Sequence, residues 1–190
     1  MITTKILDNT VISAFINEIP SIKILDICVR QYDLVTTSCV YDETSKAVEK
    51  EMLIDNYKNI SIIKKNGEEN YDAALEYLMN RYPYLHEGEL SVFLIALLDF
   101  EGHKKPYCFV TDDGKMRKNA REIISSDDFI NIIGVKTHDF RMTGTIGLIK
   151  RLYEKGCLSQ HEANEIASDL QSSTFRAPES LINELRGRFA

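Results

Sequence analysis

The run Thr3-Thr4-Lys5-Ile6-Leu7-Asp8-Asn9-Thr10-Val11, residues 3–11, decides the fold. Thr3 to Leu7 is short and β-rich, and a helical apolar rhythm begins at Val11. An acid, an amide and a hydroxyl fill the joint. The same grammar returns along the chain: strands are expected at Leu34 to Thr37, Ile60 to Lys64, Tyr107 to Thr111 and Ile130 to Val135. Between them lie stretches of 3.6-residue spacing, such as Tyr71, Leu75 and Leu78, or Leu90, Phe93, Leu94, Leu97 and Leu98. Strands separated by helices cannot pair as hairpins, so the sheet is expected to be mostly parallel with helices on both faces. Ligands of such sheets bind outside the carboxyl ends of the strands.

At 190 residues and 44% hydrophobic, the chain suffices for one domain with a core that needs no staples. Cys28, Cys39, Cys108 and Cys157 lie far apart, without zinc-site spacing or the density of a disulfide scaffold, which reads as reduced thiols in a cytoplasmic protein. No basic-then-apolar leader precedes Lys5, and Leu90 to Leu98 is too short to span a membrane, so no membrane partner is expected. A net charge of −6 opposes non-specific nucleic-acid binding. Its distribution is uneven: residues 103–155 carry 11 Lys and Arg against 7 Asp and Glu. That strip, with Lys115 and Arg117 in it, is either a phosphate-contacting surface or a solvated face.

The chain divides at about residue 156. Residues 1–156 carry the strand–helix alternation. Residues 157–190 read as a helical extension, with Ser159 and Glu162 at capping-box spacing and Pro178 able to open a last helix through Leu185. It either packs on the domain or mediates self-association.

Acids stand where the sheet would bind a ligand. Asp8 follows the first strand, Glu43 follows the second at an early helical position, Asp112 and Asp113 follow the fourth, and Glu89 opens the helix carrying Leu90 to Leu98. Each has a plain structural reading: Asp8 as a helix cap, Asp113 or Asp112 as a turn or cap residue before Gly114, Glu89 as a first-turn acid, Glu43 as a solvated acid. Taken together they would converge on one edge of a doubly wound sheet. Such a cluster is destabilising unless a hard divalent cation relieves it, and oxygen-only ligation favours magnesium or manganese over zinc. A metal there would polarise a phosphoryl oxygen and activate water.

Ile6-Leu7-Asp8-Asn9-Thr10-Val11, Glu43, Gly88-Glu89-Leu90 and Val110-Thr111-Asp112-Asp113 followed by Arg117 and Ala120 together resemble the PIN domain family. Thr143-Gly144-Thr145-Ile146-Gly147-Leu148, closed by Lys155-Gly156, looks like a bacterial and archaeal branch of PIN-like proteins. The resemblance spans roughly residues 3 to 156. It implies a three-layer α/β/α sandwich with a five-stranded sheet in the order 3-2-1-4-5, and magnesium- or manganese-dependent hydrolysis of phosphodiesters, of RNA more than DNA. By the same resemblance Asp8, Glu43, Glu89 and Asp112 are the catalytic and metal-holding acids and Asp113 is a further ligand. Asn9, Thr10 and Thr111 would steady the acids or the substrate. Toxin relatives of this family imply an antitoxin as partner, although this chain is longer than the compact toxins; a homodimer is the alternative protein partner.

Thr143, Gly144 and Thr145 lie before a helix with Ile146, Ile149 and Leu152, where free backbone N–H groups and a glycine would admit a substrate phosphate. Alternatively Thr145 caps that helix. Three other readings compete. A haloacid-dehalogenase-like phosphatase would want a second Asp where Thr10 stands, a non-catalytic PIN-like module would bind nucleic acid or protein without cutting, and a two-component-type receiver domain would pair acids with a later Thr and Lys but gives no reason for Gly88-Glu89.

Overall fold

The structure, a computed structural model, describes residues 3–47, 49–65, 67–137 and 139–187. Five strands form one sheet: β1 (Thr4–Leu7), β2 (Asp33–Thr37), β3 (Ile60–Ile63), β4 (Tyr107–Val110) and β5 (Met142–Thr143). Every pairing is parallel and the order is β3-β2-β1-β4-β5. Helices α1 (Asn9–Ser13), α2 (Ile24–Cys28), α3 (Ser38–Ala47), α4 (Lys50–Tyr57), α5 (Glu69–Arg81) and α6 (Glu87–Ile95) precede β4. Helices α7 (Gly114–Ser125), α8 (Asp127–Ile133), α9 (Thr145–Glu154), α10 (Gln160–Ser172) and α11 (Glu179–Gly187) follow it. The result is a three-layer α/β/α sandwich, as the parallel topology requires when both sheet faces must be covered.

Ile6, Leu7, Phe109 and Val110 from the two central strands are fully buried, as are Leu90, Phe93 and Leu94 of α6. A ring cluster of Phe93, Phe109, Phe129 and Phe140 joins the sheet to α6 and α8, with centroids 5.4–6.4 Å apart. Both α1 and α6 run on into π-helical turns, Ala14–Glu18 and Ala96–Glu101.

The fifth strand is not where the sequence places it. Ile130, Ile132 and Ile133 suggest a strand, yet residues 127–133 form α8. Ser126 caps its start, Asp127 and Asp128 favour its positive end, and Gly134 closes it at φ 66°. Phe129 and Ile133, four residues apart, are its buried pair, a helical spacing. The actual β5 is two residues long, too short to carry any alternation. It is held by Phe109 N–H to Arg141 O at 2.8 Å and Thr111 N–H to Thr143 O at 3.0 Å.

Residues after 156 pack onto the domain. Leu158, Ile166, Ala167, Leu170, Ile182 and Leu185 belong to the same buried cluster as the sheet residues. Lys150 of α9 pairs with Glu184 of α11 at 2.5 Å. All four cysteines are free thiols. Among the described residues, no helix is long and apolar enough to cross a membrane.

Candidate functional site

Strand register builds the site. Leu7 stands opposite Val110, so the next residues, Asp8 and Thr111, emerge side by side at the carboxyl edge, and Asp8 N–H donates to Val110 O at 3.0 Å. Asp8 has no exposed surface. Its Oδ1 accepts from Asn9 N–H at 2.7 Å, and its Oδ2 accepts from the hydroxyls of Thr10 at 2.9 Å and Thr111 at 2.7 Å. Asp8 is therefore both the cap of α1 and the centre of a buried polar network.

That network reaches the other acids. Thr10 Oγ1 accepts from Asp112 N–H at 3.2 Å, and Thr111 Oγ1 accepts from Asp113 N–H at 3.1 Å. Asn9 Nδ2 donates to Glu43 Oε2 at 3.4 Å, while Asn9 Oδ1 accepts from Thr44, itself hydrogen-bonded to Tyr57 at 2.8 Å. Asn9 and Thr10 act here by orienting carboxylates.

Glu43 is not early in its helix: it is the sixth residue of α3, because α3 begins at Ser38 directly after β2. The side chain reaches the edge through Gly88. A Cβ at residue 88 would lie 2.6–2.7 Å from both Glu43 carboxylate oxygens, so the glycine is what admits them. Glu89 occupies the first turn of α6, is 8% exposed, and accepts from His86 N–H at 3.3 Å.

Burial and mutual repulsion raise two of the acids, Asp8 and Glu89. Desolvation pushes Asp8 up to about 6, against its three hydrogen bonds and with help from the charge of Asp113. Glu89 is pushed up to about 7, first by burial and then by Asp113, Asp8 and Glu43. Among the described residues, no Lys, Arg or His forms an ion pair with Asp8, Glu43, Glu89, Asp112 or Asp113.

The acids approach one another without closing on a common point. Asp113 Oδ1 accepts from Met116 N–H at 2.5 Å and so caps α7. Asp112 is drawn to α9, taking Thr145 N–H at 2.9 Å on Oδ1 and the Thr145 hydroxyl on Oδ2. Among the described residues, no three His, Cys, Asp or Glu side chains are arranged to hold one metal ion. Their chemistry nonetheless suits a hard divalent cation: the donors are all oxygens, none of them ion-paired among the described residues, and two resist ionisation because they are buried among other acids.

The loop before α9 is arranged differently from the expected phosphate cradle. Gly144 is the N-cap and Thr145 the first helical residue, so Thr145 is not the cap. The helix N-terminus is filled by the Asp112 carboxylate, and a Cβ at residue 144 would collide with Asp112 Oδ1 and stand 2.9 Å from an Arg117 guanidinium nitrogen. Thr143, on β5, packs its hydroxyl against Gly147.

A cavity of about 390 Å³ opens beside this point, lined by Asp112, Arg117, Gly144, Lys150, Phe175 and Arg176 among others. Arg117 and Lys115 are exposed on α7. Phe175 and Arg176 were not legible as site residues, since they lie in the tail and reach the cleft only because α10 and α11 fold back.

A profile described as a PIN domain matches residues 5–189. No curated protein and no solved structure matches the chain. The chain belongs to the PIN domain family, a family that generally comprises metal-dependent nucleases. The match extends past residue 156 into the helices at the end of the chain.

Proposed function

We propose that the protein is a metal-dependent nuclease that hydrolyses phosphodiester bonds, with RNA preferred to DNA as substrate. The observation that supports this most is a group of five acids at the carboxyl edge of the sheet, two of them buried, with no ion pair to any of them among the described residues. A buried charge without compensation costs several kcal/mol, roughly, so a fold keeps one where something else supplies the opposite charge.

Asp8, Glu43, Glu89 and Asp112, with Asp113 as a further ligand, would hold magnesium or manganese. Bound there, the ion supplies polarisation of the phosphoryl oxygen and a more acidic water. Thr10 and Thr111 hold Asp8 in place, Asn9 turns Glu43 inward, and Arg117 and Arg176 offer guanidinium groups to the phosphates of a strand lying in the adjacent cleft.

One observation favours a second reading, a PIN-like module that binds without cutting: Asp112, Asp113 and Glu89 each already serve a helix N-terminus. A fluorescent single-stranded RNA separates the two. Cleavage that requires manganese or magnesium and vanishes with EDTA is expected of the nuclease; binding without cleavage at saturating metal would establish the module instead.

A further inference from the structure

The opposite edge of the sheet has the reverse electrostatics. A cavity of about 450 Å³ there is lined by Lys5, Tyr32, Arg141, Arg151, Glu154 and Lys155 among others, four cations against one carboxylate. Lys5 lies in the middle of β1, between Leu34 of β2 and Cys108 of β4, and only 3% of it is exposed. Its ammonium sits 4.4 Å from the centre of the Tyr32 ring, and the Lys155 ammonium sits 4.5 Å from the same ring. Among the described residues no carboxylate forms an ion pair with Lys5, Arg151 or Lys155. Arg141 is paired with Asp139 at 3.0 Å. The Tyr32 hydroxyl, on a residue 4% exposed, is buried without a hydrogen-bond partner.

A lysine in the central strand of a parallel sheet is costly to bury, and a cation–π contact of roughly 0.5–2 kcal/mol offsets only part of that. Neither do the neighbouring thiols supply a counter-charge in the case of Cys28, which burial pushes up to about 12 and so keeps neutral. Two ammonium groups sharing one aromatic ring, with Arg151 beside them, repel one another: burial above all lowers Lys5 from its ordinary value, and Arg151 and Lys155 lower it further against the opposing influence of Cys108. An anion with several acceptor oxygens would relieve the repulsion and pair the Tyr32 hydroxyl at once. A carboxylate has two oxygens; a phosphate monoester has three free ones and up to two charges. The cavity also leaves room for the group that the phosphate is attached to.

We propose that Lys5, Arg151, Lys155 and Tyr32 form a binding site for a phosphate monoester at the edge of the sheet opposite the carboxylates. The phosphate is that of a free nucleotide or the 5′ end of a nucleic-acid strand, two sources of one chemistry.

The test is calorimetric titration of the full chain in EDTA, at ionic strength matched with sodium chloride. The ligands are inorganic phosphate, a nucleoside 5′-monophosphate, and a short oligonucleotide with either a 5′-phosphate or a 5′-hydroxyl. Binding of the phosphorylated ligands is expected, weakened about tenfold or more in Arg151→Gln and Lys5→Met and unchanged in Asp8→Asn. Arg151 is exposed, so its variant is expected to fold even if Lys5→Met does not. Preference for the nucleotide assigns a free ligand, and preference for the 5′-phosphorylated over the 5′-hydroxyl strand assigns a strand terminus. Phosphorylated ligands that show no binding, or that bind Arg151→Gln as well as the parent, would overturn the proposal.

Discussion

Thr145 donates both its backbone N–H and its hydroxyl to the carboxylate of Asp112, 33 residues earlier in the chain. The bond ties β4's end to the start of α9 and fills the helix N-terminus with a side chain of the protein itself. It also leaves Asp112 facing the cleft from one side, between α9 and the Asp8 network. Replacing Thr145 by Val keeps the volume and removes the hydroxyl, which leaves a half-buried carboxylate one donor short. A stability loss of about 1–3 kcal/mol is expected in urea denaturation. A loss below about 0.5 kcal/mol would mean that the hydroxyl does not hold Asp112.

Gly88 and Gly114 make a matched pair for testing how the site is assembled. A Cβ at 88 meets the Glu43 carboxylate, whereas one at 114 meets nothing within 4 Å. Gly88→Ala is expected to push Glu43 away from the edge and weaken manganese binding about tenfold, while Gly114→Ala leaves it unchanged. Calorimetric titration with manganese reads both. Equal affinities in the two variants would show that Glu43 takes no part in holding the ion.

The raised acids make stability depend on pH in a defined direction. Asp8 and Glu89 ionise at about 6 and about 7 in the fold, above their ordinary values of 3.8 and 4.5, so the folded state holds the extra protons. Their neutral forms stabilise the fold fully below about pH 4, and the benefit is lost as pH rises through about 6 and 7. In EDTA the free energy of unfolding is expected to be larger near pH 5 than near pH 8, by an amount on the order of a few kcal/mol, and the melting temperature is expected to fall with it. Glu89→Gln is expected to flatten that slope. A metal-free protein that melts no lower near pH 8 than near pH 5 would refute the assignment.

Cationic side chains by the cleft are expected to give affinity and little chemistry. Arg117 and Arg176 line it with Asp112, and Lys115 and Lys118 are exposed on the same helix as Arg117. Arg117→Ala with Arg176→Ala is expected to lower the slope of log K against log salt by about 1.5, since single strands release roughly 0.7 counterion per phosphate contact. Filter binding of single-stranded RNA across a salt series measures it. An unchanged slope would make these residues solvated surface only.

Most of the fold is legible because strand and helix alternate with different periods: β1 to β4 lie within one residue of where the pattern puts them. The fifth strand escapes because two residues cannot show a period, while α8 carries a β-branched run whose phase matters more than its composition. For the site, Asp8 and Asp112 are readable from position alone, being the first acids after the two central strands. What sequence cannot convey is which groups each carboxylate touches. Gly88 makes room for Glu43, and Gly144 for Asp112, across 45 and 32 positions of chain, so neither glycine reveals its purpose locally. Arg176 lies beside Asp112 only through the packing of α10 and α11 on α9.

Asp8, Glu43, Glu89, Asp112 and Asp113 are proposed to share a divalent ion. Anomalous diffraction from a crystal soaked in manganese tests it most directly. The predicted result is a strong peak at the carboxyl edge of β1 and β4, within coordination distance of Asp8 and at least one of Glu43, Glu89, Asp112 and Asp113, with the Asp112 or Glu89 side chain turned from its helix N-terminus toward the ion. No peak at that edge, in a crystal that takes up manganese elsewhere or survives a saturating soak, would contradict it.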